Sequence, residues 1–315
     1  MITPSYKFSA CVFGGINIDF ISSVKSMPKA GETIVGDDFV VTPGGKGANQ
    51  AVACSRLGLK TSMIGRVGND TFADQLLSNL NDEKINTDGI TKDKTTHTGI
   101  ATIILDETGQ NSIIQTPGAN YLCGDDELNY LKSKILEFDL LVLQSEIPIN
   151  VSLNAAKIAK DAEKLVIWDP APANKIPDEA YEYIDYFIPN QTEAQTLSGH
   201  DDVLNEKQAM EASKIFLDKG VKNVIITMAE QGAFGYNGTE SYFIDIPEDI
   251  KVIDSVAAGD AFSGGLSLGI SEELEFKKLI IYGVLSGCIA VQKPGATDSM
   301  PTIKEFNSLQ VKTVK

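Results

Sequence analysis

Histidine and cysteine are scarce in this chain: two histidines, His97 and His200, and four cysteines, at 11, 54, 123 and 288, in 315 residues. None of them stands at paired metal-ligand spacing, which excludes a zinc site and points to reduced thiols in cytosol. Positive charge is also short. Against 43 Asp and Glu there are 27 Lys and Arg, a net charge of -16. Such a surface attracts neither nucleic acid nor an anionic membrane, so any phosphate must be held locally. No stretch approaches the ~18 uninterrupted apolar residues of a membrane span, and no apolar run of signal-peptide length precedes the first strand. A cytoplasmic protein is expected. There is no internal repeat, low-complexity tract or linker, so one α/β domain over 1–315 is the expected organisation.

What is present centres on Asp254-Ser255-Val256-Ala257-Ala258-Gly259-Asp260, followed by Ala261 to Leu266. It reads as a loop feeding a helix. Small residues at 257–259 let backbone N–H groups converge where the helix dipole is positive, which suits an anion. Asp260 is then either a helix-start acid that satisfies those N–H groups or a base that takes a proton from an acceptor hydroxyl during phosphoryl transfer.

Phe8 to Gly15 has the apolar, β-forming composition of a buried parallel strand ending at a ligand crevice. Asn17 and Asp19 follow at i and i+2, so in extended backbone they share a face and can meet one polar ligand, or else close the strand as an Asx turn. A dinucleotide fingerprint fails here for want of a third glycine. Gly44-Gly45-Lys46-Gly47-Ala48-Asn49-Gln50 opens a helix to about Leu57. Gly47 stands where a P-loop needs Ser or Thr, so that reading is rejected. Glycines there allow close backbone approach, with Lys46 and Asn49 as donors, or form a structural turn.

Residues 20–42, and a hairpin of Gly99–Leu105 with Asn111–Thr116 around Asp106-Glu107-Thr108-Gly109, read as antiparallel excursions that pack as a lid. Elsewhere strands near 61–67, 139–144, 164–169, 184–189 and 224–227 alternate with helices near 70–80, 125–137, 150–162, 259–270 and 275–291. A strand pair then runs to Ile246, and a final short helix follows Pro294. This predicts a doubly wound, mostly parallel sheet. Glu146, past one strand end, is a solvated loop acid or a ligand group. Glu193, entering a helix after Asn190, is a first-turn acid or an anchor for magnesium through water.

Taken together, the Gly44–Ala51 stretch with Gly58 and Gly68 downstream, and the Asp254–Leu266 stretch, meet two signatures in order, and the chain resembles the PfkB carbohydrate kinases over nearly its whole length. Asn17-Ile18-Asp19 and Pro170-Ala171-Pro172-Ala173 are most similar to the ribokinase branch. The resemblance implies ATP-dependent phosphorylation of D-ribose, with Asp260 as base and Ala257, Ala258 and Gly259 as anion-hole amides. Asn17, Asp19, Gly45, Lys46, Asn49 and Glu146 would hold the sugar. Asn190, Thr227, Gly232 and Gly259 would meet ATP, and Asn190 and Glu193 would organise Mg2+. Asp254, Val256, Ala290, Lys293, Gly295 and Ser299 would surround K+, and a homodimer would form through the lid, built from about 17–43 and 95–118. Asp254 could instead cap its own turn, with Lys293 paired to it directly.

Three departures stand out. Ala229 occupies a nucleotide-loop position that is usually glycine, so either its φ is negative or ATP sits further off. Asp169 and Ser255 replace an asparagine and a threonine. The competing expectations are a sibling kinase for another pentose, a ketohexose or a nucleoside, and a sugar-binding regulator without catalysis.

Overall fold

A computed structural model describes residues 8–108 and 110–313; Gly109, at the expected hairpin tip, lies outside them. Strands β1 (Ser9–Phe13), β2 (Asn17–Val24) and β3 (Asp38–Gly44) precede helix α1 (Lys46–Arg56). Then come β4 (Lys60–Gly68), α2 (Thr71–Asp82), β5 (Asn86–Asp93), β6 (Gly99–Asp106) and β7 (Asn111–Thr116). An alternating run follows: α3 (Asp125–Lys134), β8 (Leu140–Leu143), α4 (Ile149–Asp161), β9 (Leu165–Trp168), β10 (Tyr186–Phe187), α5 (Gln191–Ser198), α6 (Glu206–Asp218) and β11 (Asn223–Thr227). The strand pair β12 (Ala233–Tyr236) and β13 (Ser241–Ile244) leads to α7 (Ala258–Ser271), α8 (Phe276–Ala290) and α9 (Ile303–Thr313).

The main sheet has nine strands in the order β13-β12-β11-β10-β9-β8-β1-β4-β5, parallel except at β12 and β13. Its inner strands are buried on both faces. Ala10 and Val12 of β1 point into a core with α1, α2, α7 and α8, while Cys11 and Phe13 point into another with α3, α4 and α6. This explains the continuous apolar runs, since neither face meets water. The chain leaves β1 toward β4 on one side and later returns to β8 on the other. That is a topological switch point, and the crevice beyond it lies at the carboxyl ends of β1 and β8.

A second sheet, β3-β2-β6-β7, overhangs this crevice. β2 pairs antiparallel with β3 and parallel with β6, and β6 pairs antiparallel with β7. The expected hairpin and excursion are therefore one four-stranded lid. Two elements escaped the sequence reading. β5 is an edge strand of mostly polar residues with no alternation, and α6 turns the small residues Ala209, Ala212 and Ser213 inward. The closing helix α9 is also longer than expected, at 11 residues.

Candidate active site

Asp260 sits in the first turn of α7, 2% exposed. Both carboxylate oxygens accept from α1: Oδ2 from Asn49 Nδ2 at 2.9 Å, and Oδ1 from Gln50 Nε2 at 3.0 Å. Close helix contact makes this possible. A Cβ on Gly264 would lie 2.5 Å from the Ala53 methyl, so only glycine lets α7 approach α1 this nearly. Gln50 Nε2 also donates to Asp169 Oδ2 at 2.8 Å, and its Oε1 accepts from Gln144 at 2.6 Å. The aspartate that departs from the resemblance is thus joined to Asp260 through one amide.

Asn17 and Asp19 both lie in β2 at the base of the lid and are buried. The strand alternative holds and the Asx turn does not. Asn17 Oδ1 accepts from Asn120 Nδ2 at 2.7 Å, and Asn120 Oδ1 accepts from the Ile16 N–H at 3.0 Å. Asp19 Oδ1 is buried with no hydrogen-bond partner among the described residues. Its register neighbours on the same face are Thr42, Ala101 and Gln115. Glu146, 6% exposed, is not a solvated loop acid. Its Oε2 accepts from the Lys46 backbone N–H at 2.8 Å and its Oε1 from Gln115 Nε2 of the lid at 2.7 Å. Gly45 has φ 90°, and a Cβ there would lie 2.7 Å from Asn17 N, so this turn demands glycine.

Five carboxyl groups converge here: Asp19, Glu146, Asp169, Glu193 and Asp260. Burial pushes each of them up, Asp19 to about 7 with help from Glu146 and Asp260. Lys46 answers them. Burial alone would lower its ammonium, but Asp260, Asp169, Glu146 and Glu193 outweigh that and hold it above its ordinary range. Ionised carboxylates are acceptor-only, so the space among them suits a molecule rich in hydroxyl donors.

On the other side of the α7 N-terminus a cavity of about 500 Å³ is lined by Asn190, Thr227, Gly232, Ala258 and Gly259, with Ile250, Val252, Phe262 and Val284 as apolar wall. Ala257 carries φ 59°, which turns the chain into α7 and presents the Ala258 and Gly259 end of the helix to the cavity. A Cβ on Gly259 would meet nothing within 4 Å. Ala229 has φ 50°, so of the two alternatives the one with a negative φ does not hold. The alanine takes the glycine-like conformation, at a cost of roughly 1–2 kcal/mol.

Glu193 caps α5 reciprocally with Asn190: Oε2 accepts from the Asn190 N–H at 2.9 Å, and Asn190 Oδ1 from the Glu193 N–H at 2.8 Å. This is the capping box of a first-turn acid. Glu193 Oε1 makes no hydrogen bond with the described residues, so one oxygen is spare. Among the described residues no group of three or more His, Cys, Asp and Glu stands at metal-holding spacing.

Asp254 accepts from the Val256 N–H at 2.9 Å through Oδ1 and from the Gly295 N–H at 2.9 Å through Oδ2. It caps its own turn, as one alternative had it, and ties the 254–256 loop to the 293–295 turn. Direct pairing with Lys293 is not found. Lys293 Nζ reaches Glu305 at 3.1 Å and the Met300 carbonyl at 3.3 Å instead. Ala290 is buried at the end of α8, and Ser299 Oγ donates to the Ala296 carbonyl at 2.7 Å.

Gln50, Asp169, Gln115, Asn120, Gln144 and Thr297 were given no role from sequence. Gln50 stood inside one quoted motif and Asp169 directly before another; for the others no local signal marks a partner that lies far away in the chain.

Residues 7–303 match the family model of the pfkB family carbohydrate kinases. A ribokinase of Haemophilus influenzae is 37% identical over 294 residues, 93% of this chain and 95% of the relative. A deoxyribokinase of Salmonella typhimurium is 33% identical over 299 residues, 94% of this chain and 96% of that one. A solved ribokinase of Arabidopsis thaliana complexed with ribose and ATP is similar at a TM-score of 0.87 and 29% identity, covering 96% of this chain and 98% of the other.

Proposed function

This chain belongs to the pfkB family of carbohydrate kinases, and we propose that it transfers the terminal phosphoryl group of ATP to D-ribose, giving D-ribose 5-phosphate. The observation that carries the reading is Asp19 Oδ1, a buried oxygen without a hydrogen-bond partner among the described residues, beside Glu146 and Asp260. A buried acceptor of this kind is costly unless a ligand hydroxyl satisfies it. Asn17, Asp19, Gly45, Lys46, Asn49 and Glu146 hold the sugar, and the lid closes over it. ATP takes the cavity along Asn190, Thr227 and Gly232, its phosphates toward the amides of Ala257, Ala258 and Gly259.

Asp260 takes the proton from the acceptor hydroxyl as the phosphoryl group transfers in line, with no phosphoenzyme. The amide cluster receives charge as it develops on the phosphoryl oxygens. Asn190 and the spare oxygen of Glu193 are suited to magnesium through its water shell, where it supplies charge neutralisation of the phosphates. Asp254, Val256, Ala290, Lys293, Gly295 and Ser299 would hold potassium, which would supply fixed positive potential near α7.

The whole chain acts as one kinase domain with the four-stranded sheet as its lid. Both faces of the lid's outer half expose apolar side chains: Val40 and Ile113 on the face that carries Asp19, Phe39, Val41 and Ile114 on the opposite one. A second copy covers them in a homodimer, which sedimentation velocity of wild type against Ile113→Lys tests. The four cysteines are free and buried, consistent with a cytoplasmic location.

A second reading, a kinase for 2-deoxyribose or another related acceptor, is favoured by the deoxyribokinase relative at 33% identity. Coupled ADP release across pentoses, hexoses and nucleosides decides between them. A best kcat/KM on anything other than ribose would overturn the ribose reading, and no ADP release on any sugar would overturn the kinase.

A further inference from the structure

Thr297 lies in the turn Thr297–Ser299 between α8 and α9 and is 7% exposed. Its Oγ1 is 2.7 Å from Asn49 Oδ1 and 3.1 Å from the Pro43 carbonyl. A hydroxyl has one hydrogen, so it serves one of these acceptors at a time. Asn49 meanwhile sets Nδ2 at 2.9 Å from Asp260 Oδ2.

Two arrangements satisfy all three groups. In one, Thr297 donates to Asn49 Oδ1, and Asn49 Nδ2 donates to an ionised Asp260. In the other, Thr297 donates to Pro43 and accepts from Asn49 Nδ2, which turns Asn49 Oδ1 toward Asp260. An oxygen facing an oxygen is tolerable only if Asp260 carries a proton to donate. The Thr297 hydroxyl therefore stands at a branch whose two settings correspond to the two protonation states of Asp260.

We infer that Thr297 is a positioning residue that holds Asn49 as a donor to Asp260, and so keeps the carboxylate in the ionised form that takes the acceptor's proton. The inference rests on the reading of Asp260 as base. The shorter of the two contacts is the one to Asn49. The turn is itself fixed, because Arg56 Nη1 donates to the carbonyls of Thr297, Asp298 and Met300 at 3.1, 3.3 and 3.2 Å. The other side of that guanidinium is taken by Glu83, at 3.0 and 2.6 Å. Gripped in this way, the turn cannot follow Asn49 if its amide rotates.

The setting makes such a device consequential. Asp19 from β2, Glu146 after β8, Asp169 after β9 and Glu193 from α5 all lie about Asp260, and Lys46 of α1 is the cation among them. Burial pushes the Asp260 carboxyl up, and Lys46, Asn49 and Gln50 hold it down. Losing the Asn49 donor removes one of three restraints.

The test follows kcat/KM for ribose against pH in Thr297→Val, which keeps the side-chain volume but not the hydroxyl, and in Thr297→Ser, which restores it. Asp260→Asn is measured alongside. In Thr297→Val the acid limb moves upward by roughly one pH unit, a tenfold loss on that limb, because a hydrogen bond to a charged acceptor is removed. Thr297→Ser returns it, and KM for ATP is unchanged in both. If Thr297→Val does not fold, Thr297→Ala gives the same reading. A hydroxyl-free variant whose limb superimposes on wild type overturns the positioning role, as does a Thr297→Ser limb displaced like that of Thr297→Val. An Asp260→Asn enzyme with near wild-type turnover overturns the base and the positioning role together. An inactive Asp260→Asn beside an unmoved Thr297→Val limb overturns the positioning role alone.

Discussion

Asn49 Nδ2 donates to Asp260 Oδ2 at 2.9 Å although 211 residues separate them in the chain. With Gln50 on the other oxygen, each carboxylate oxygen holds one donor, which fixes the orientation and leaves lone pairs for the incoming proton. A base fixed in this way loses little freedom when the acceptor hydroxyl arrives.

Asp260→Asn keeps the packing of α7 and the shape of the site but removes the proton acceptor. The variant folds, binds ribose with near wild-type affinity, and turns over about 10²–10⁴-fold more slowly, the usual contribution of a positioned base. Calorimetric ribose binding together with coupled ADP release measures both. Unchanged turnover would exclude Asp260 as the base.

Asp19 and Glu146 accept and cannot donate when ionised, so a sugar that lacks one hydroxyl leaves one of them unpaired. 2-Deoxyribose is accordingly the poorer substrate, by at least about tenfold in kcat/KM. Equal values for the two sugars would show that these carboxylates do not both read the ring. Gln115→Leu raises KM for ribose and leaves KM for ATP alone, since it frees Glu146 from the lid without touching the nucleotide cavity.

The Asp19 carboxyl is pushed up from 3.8 to about 7 by burial, then by Glu146 and Asp260. Between those values the folded protein retains a proton that the unfolded chain has released, so this group's contribution to stability falls as pH rises through the interval. Asp19→Asn has no such proton. Relative to wild type, its ligand-free unfolding free energy therefore gains with pH from about 4 and levels off above about 7, by an amount on the order of a few kcal/mol at roughly 1.4 kcal/mol per unit, and its melting temperature follows. Thermal unfolding of both proteins from pH 5 to 8 is the measurement, and a pH-independent difference contradicts the assignment.

Potassium raises the initial rate at fixed ionic strength and saturating Mg-ATP, by at least about fivefold over tetramethylammonium, equivalent to roughly 1 kcal/mol in the barrier. Tetramethylammonium is too large for a carbonyl-lined pocket. The increase disappears in Asp254→Asn, which keeps the loop contacts in part but not the charge. Equal rates in potassium-free protein would remove the site.

The residues legible in the sequence are those whose chemistry is local. Asp260 could be placed because small residues and a helix start surround it, and Asn17 and Asp19 because a strand puts alternate residues on one face. Glu146 had no such context, since only the fold brings the Lys46 amide and the lid's Gln115 to it. Asn120, 103 residues from Asn17, and Thr297, 248 from Asn49, were out of reach for the same reason. At Ala229 the sequence left two alternatives open, and the observed φ of 50° removes the one with a negative φ.

Asn17 and Asp19 belong to β2, and β2 leaves β1 after only Gly14 to Ile16. The sensor thus occupies the first residues of the shutter, directly after a three-residue connection. Any swing of the shutter would carry the sensor with it. A side chain at Gly15 would press directly on one of the sugar's acceptors, since a Cβ there would lie 2.3 Å from Glu146 Oε2.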